Sequence, residues 1–67
     1  MREWFRSARE LKDMSRKELA GLVKVDPSFI SKIEKNQRDP SVILAMKLGK
    51  ILNFDWKEFY TELEKQI

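Results

Sequence analysis

The feature that most restricts what this sequence can fold into is a pair of short helical patterns with almost no chain between them. Ser15-Arg16-Lys17-Glu18 is a capping box, in which a Ser hydroxyl and a Glu carboxylate satisfy backbone N–H groups at a helix start, and Leu19, Ala20, Leu22 and Val23 follow at helical spacing. Asp26-Pro27 opens the next helix, because Asp is a good N-cap and Pro at the first helical position gives up no needed N–H. Phe29, Ile30 and Ile33 give that helix one apolar side before it stops near Asn36. Only Lys24-Val25-Asp26 is left for the turn, so the two helices must cross steeply. Ala20 then has a physical reason, since its small side chain lets the second helix approach with Ile30 and Ile33 over Leu19, Ala20 and Val23.

This is helix-turn-helix geometry, over about residues 15–36, and it assigns faces. With Ile30 and Ile33 turned inward, a period of 3.6 puts Pro27, Ser28, Ser31, Lys32 and Lys35 on the outer side. A polar face with a rigid apolar backing suits reading of the DNA major groove. Lys32 can bond guanine O6 or N7, or sit on a phosphate; Ser28 and Ser31 are short hydroxyls that both donate and accept, and so discriminate weakly between bases. Phe29 has two open readings, contact with a thymine methyl or a place at the edge of the core. Arg16 and Lys17 stand in the first turn of their helix, where free N–H groups and the positive dipole end already favour an anion, so phosphate clamping is their expected role.

The remaining chain predicts three more helices and no strand, an all-α domain spanning residues 1–67. The first runs from about Arg2 to Lys12 with Trp4, Ala8 and Leu11 on one stripe, Phe5 beside it and a strongly basic polar face. Pro40-Ser41 starts the fourth, whose Val42, Leu44, Ala45, Met46, Leu48, Ile51 and Leu52 make it nearly apolar all round and the expected centre of the core; Asn53 can close it in the left-handed conformation. Asp55-Trp56-Lys57-Glu58 resembles a second capping box and leads a last helix, over about residues 55–65, with Trp56, Phe59, Tyr60, Leu63 and Ile67 at helical spacing.

Inventory excludes several classes of chemistry. The 67 residues contain neither Cys nor His, which removes disulfide frameworks, zinc fingers and thiol or imidazole catalysis; no carboxylate cluster suggests a metal site, and neither an enzyme nor a cofactor is expected. Arg2, Glu3, Arg6, Arg9 and Glu10 interrupt any signal-peptide run, and no segment is apolar enough to span a bilayer, so the expected setting is cytoplasmic. The net charge of +3 is segregated: residues 1–50 hold twelve Lys and Arg against seven Asp and Glu, and residues 51–67 hold two against four. A main body of +5 and a tail of −2 are consistent with an anionic partner on one face and a separate task for the tail.

The order and spacing of Ser15 to Ala20, Val25 to Glu34, Arg38-Asp39-Pro40-Ser41 and Leu48 to Asn53 resemble the Cro and C1 repressor type of helix-turn-helix domain, the Xre family, over about residues 5–60. The resemblance implies five helices in a lambda-repressor-like arrangement and dimers on near-palindromic double-stranded DNA operators. It places a second phosphate clamp at Lys35, Asn36, Gln37 and Arg38, and a structural ion pair between Arg9 and Glu34. The sequence departs from the family's usual Gln at Arg16, Gly at Lys24 and Gly at Asn36, and Pro27 stands where a base-reading polar side chain is frequent. If the turn keeps its backbone conformation, Lys24 there costs about a kilocalorie.

The aromatic stripe of the last helix has two readings. Trp56, Phe59 and Leu63 can close the core while Tyr60 and Ile67 extend to a second chain, and a 67-residue domain gains from burying such a patch in a homodimer. The expected function is a transcriptional regulator, with a repressor favoured and an activator open, and no small-molecule ligand is evident. The rival from another class is an antitoxin-like module that holds a partner protein through residues 54–67 and uses DNA only for autoregulation.

Overall fold

Local signals account for where three of the helices begin. In the computed structural model, which describes the backbone of residues 1–65 and the side chains of residues 1–61, the helices are α1 (Glu3–Leu11), α2 (Arg16–Val23), α3 (Pro27–Glu34), α4 (Val42–Leu52) and α5 (Glu58–Lys65). At the start of α2 the Glu18 N–H donates to Ser15 Oγ and the Ser15 N–H to Glu18 Oε1, both at 3.0 Å, which completes the capping box. Asp26 Oδ1 accepts the Ser28 N–H at 2.8 Å ahead of α3, and Ser41 Oγ accepts the Leu44 N–H at 3.1 Å ahead of α4.

The helix ends share one solution. Asp13, Lys24, Asn36 and Asn53 follow α1 to α4 with φ of 53°, 58°, 62° and 61°, the left-handed conformation, and none is Gly. After α3, the Gln37 N–H donates to Lys32 O at 2.9 Å and the Asn36 N–H to Ile33 O at 3.1 Å, the paired closure of a Schellman motif. The same 6→1 bond recurs from Met14 to Arg9, Val25 to Ala20 and Phe54 to Gly49.

The core lies where these helices converge. Phe5, Leu19, Ala20, Val23, Ile30, Ile33, Leu44, Ala45, Leu48, Leu52 and Phe59 form one buried cluster. Trp4, Phe5, Phe54 and Phe59 meet in an aromatic group with all six pairs of ring centroids 5.0–6.1 Å apart, which ties α1 to the segment leading into α5. Gly49 permits that approach: a Cβ there would stand 2.7 Å from Phe54 O and 3.2 Å from Trp56 N.

Four expectations are corrected. Leu11 is exposed and Phe5 is the buried apolar residue of α1, because Leu11 lies six residues on, about 240° of rotation from the core side that Phe5 and Arg9 share. Helix α4 is central on one side only: Val42, Ile43 and Met46 are 49%, 69% and 49% exposed, since none of the described residues packs over that side. Helix α5 begins at Glu58, three residues after Asp55, whose Oδ1 accepts the Lys57 N–H in a turn that precedes it. Phe59, expected among the dimer residues, is 2% exposed and is spent in this chain's own core. The Leu63 side chain and Ile67, also expected there, lie outside the described residues. No helix among the described residues is long and apolar enough to cross a membrane.

Candidate nucleic-acid interface

The outer side of α3 is held rigidly from behind. Ile30 and Ile33 are fully buried against α2, and the two helices pack against each other more extensively than any other pair. On the opposite side Pro27, Ser28 and Lys32 are exposed and Ser31 is half-buried. Lys35, Asn36, Gln37 and Arg38 follow directly, all exposed, so the polar groups expected to meet DNA from α3 and from the loop after it all reach the surface, Ser31 in part. Phe29 takes the core-edge position, half-buried against the apolar cluster.

Beneath the far end of α3 lies a charged network. Glu34 is fully buried, and Arg9 faces it with a guanidinium fork, Nε at 2.7 Å from Oε2 and Nη2 at 3.3 Å from Oε1. Arg9 Nη1 also donates to Met14 O at 2.7 Å, so one buried side chain joins the end of α1 to the end of α3. Arg16 approaches the same carboxylate, its Nη2 3.4 Å from Glu34 Oε1. With its side chain still 43% exposed, Arg16 divides its guanidinium between this contact and the surface. Lys17 is exposed beside it and makes no ion pair among the described residues.

One residue of this scaffold was not anticipated. Arg2 is 2% exposed; its backbone N–H donates to Glu34 O at 2.7 Å, and its Nη1 donates to Ile33 O at 2.8 Å and Arg38 O at 2.9 Å. Its Nη2 pairs with Asp39, and its guanidinium carbon stands 5.1 Å from the centre of the Phe59 ring. Arg2 thus gives the Glu34 carbonyl a donor, adds a second one to the Ile33 carbonyl and fixes the loop that carries Arg38. The hydrogen-bond acceptors named for its side chain are 31 to 37 positions away in sequence, which leaves no local signal by which to find them.

Two carboxylates report on the frame. Backbone N–H donation at Ser15, and then its hydroxyl, hold the Glu18 carboxyl below its ordinary value. Donation from the Ser28 backbone, then its side chain, and the charge of Lys32 do the same for Asp26. The Asp26 carboxylate therefore stays charged at the start of α3, six residues before Lys32.

Comparison with known proteins agrees with this geometry. A family model described as helix-turn-helix matches residues 5–59. A protein of Bacillus subtilis (strain 168), YqaF, described as an uncharacterized HTH-type transcriptional regulator, is 33% identical over 63 residues, which cover 94% of this chain and 83% of that protein.

Proposed function

This chain belongs to the Cro/C1-type (Xre) helix-turn-helix family of DNA-binding transcriptional regulators, and on that premise we propose that it represses transcription by occupying a near-palindromic operator as a homodimer. The observation that carries the reading is the polar surface of α3 and its following loop, backed by buried Ile30, Ile33 and Glu34. Ser28, Ser31 and Lys32 read base edges in the major groove, with Pro27 shaping the entry of the helix. Arg16, Lys17, Lys35, Asn36, Gln37 and Arg38 sit on phosphates and set register.

Trp56 and Tyr60 are half-buried and meet edge to face with centroids 5.7 Å apart, which supports their remaining surface as the contact with a second copy. A twofold axis there would set two α3 helices about 34 Å apart, one turn of DNA. Repression follows where the operator overlaps a promoter, in the cytoplasm, with no step of catalysis involved.

Alanine variants separate the two kinds of contact. Lys32→Ala is expected to relax preference at one operator position at a cost of about 1–3 kcal/mol. Arg38→Ala should weaken binding to every duplex alike and reduce the salt dependence by about one counterion. Equal losses on all duplexes from Lys32→Ala would remove its base-reading role.

A further inference from the structure

Ile43, an exposed apolar side chain of α4, borders a groove that the proposed base-reading residues do not line. It has a volume of about 440 Å³ and runs between the start of α3 and the first half of α4, with Val25, Phe29, Ile43 and Leu44 as its apolar walls. A second hollow, of about 260 Å³, continues it along α2, sharing Val23 and Lys47 and adding Leu22 and Ile51. Patches of this kind on a small domain mark contact surfaces.

Charge narrows the occupant. Lys24, Lys47 and Lys50 line the two hollows, and none of them makes an ion pair among the described residues. The only acid on the walls is Asp26, whose Oδ1 already accepts the Ser28 N–H. A DNA backbone would suit the lysines but would set phosphates against Val25, Ile43 and Leu44. A twofold contact with a second copy would turn the patch on itself and bring the lysines of both chains together, which like-charge repulsion opposes. An amphipathic helix with carboxylates beside its apolar ridge satisfies both the walls and the rim.

We propose that this groove binds an acidic amphipathic helix of another protein, its apolar ridge on Phe29, Ile43 and Leu44 and its carboxylates on Lys24, Lys47 and Lys50. The site shares no residue with Ser28, Ser31 and Lys32, so it stands whether or not the operator reading does. It also moves the protein-partner surface away from residues 54–67, where Phe59 is consumed by the core.

The test uses the full chain and three synthetic peptides: a helical peptide with Leu at i, i+3/i+4 and i+7 flanked by Glu, the same peptide with Lys for each Glu, and a scrambled acidic version. Affinity is read by fluorescence anisotropy and the contact surface by amide chemical shifts. The acidic amphipathic peptide should bind with shifts centred on Val25, Ile43 and Lys47. Lys47→Glu combined with Lys50→Glu, and separately Ile43→Ser, should each weaken it by about tenfold. All three positions are exposed, and unchanged thermal melts verify that the variants fold. The proposal is overturned if that peptide fails to bind, if the Lys or scrambled peptide binds as well, or if the shifts fall elsewhere. It is equally overturned if the groove signals move with protein concentration alone, which assigns the face to a second copy, or with random-sequence duplex DNA alone, which assigns it to the phosphate backbone.

Discussion

Lys24 sits at φ 58° and ψ 46°, where its Cβ crowds the backbone, and it is the one long side chain among the four left-handed helix ends. Asp13, Asn36 and Asn53 have short polar side chains that tolerate this conformation. Replacing Lys24 by Gly relieves about 1–2 kcal/mol of strain and returns part of it as greater freedom of the unfolded chain, so a net gain of about 0.5–1 kcal/mol in denaturant melts is expected. The chain's two glycines should respond in opposite directions. Gly21 has nothing within 4 Å of an added Cβ and lies inside exposed helix, so Gly21→Ala should stabilise by about 1 kcal/mol or less. Gly49→Ala would drive a methyl into the Phe54 carbonyl and should cost about 1–3 kcal/mol, measured the same way. Asn53 was readable in sequence because a helical pattern ends on it, and Lys24 because the family it resembles usually has Gly there; the need for Gly49 was not, since it depends on how closely the chain leading into α5 returns over α4.

At the scale of elements, the starts of α2, α3 and α4 were legible, and the burial of α1 and α4 was not. The capping box at Ser15 and the Asp26-Pro27 start are local, and each lies where its residues predicted. These caps carry a pH dependence. The Glu18 and Asp26 carboxyls titrate below their ordinary values near 4.5 and 3.8 in the folded chain, so their stabilisation is complete above those values and is lost as pH falls through the lowered ones. Thermal melts followed downward in pH should therefore show a falling acid limb, and the double variant Glu18→Gln, Asp26→Asn should flatten it; an unchanged limb would show that other carboxylates govern it. The buried pair behind α3 should dominate stability. Arg9→Ala leaves Glu34 charged and enclosed with only half-exposed Arg16 near it, and should cost about 3–5 kcal/mol, with Arg9→Lys recovering little because a single ammonium cannot reproduce the fork. That ion pair was reached through family resemblance, whereas the clamp formed by Arg2 was missed because only tertiary folding brings it to Ile33, Arg38 and Asp39.

For the whole molecule, five helices place one polar helix face outward, brace it with a buried carboxylate and two arginines, and surround it with exposed cations. The all-α class and the outward face of α3 were legible from periodicity around a three-residue turn, and the five-helix lambda-repressor-like arrangement from the family resemblance. Which apolar residues stay uncovered was not, because amphipathicity does not say which sides of a helix find neighbours; hence the exposed Val42, Ile43 and Met46 and the buried Phe59. The central claim, dimeric reading of a specific operator by α3, is tested most directly by selecting bound duplexes from a random DNA pool with the intact chain, then titrating the winner and a scrambled duplex at several salt concentrations. Enrichment of an inverted repeat with half-sites about one helical turn apart, whose advantage over the scrambled duplex survives added salt, is the predicted result. Binding that falls with salt equally on both duplexes, with no motif enriched, would contradict it and leave α3 with a basic surface alone.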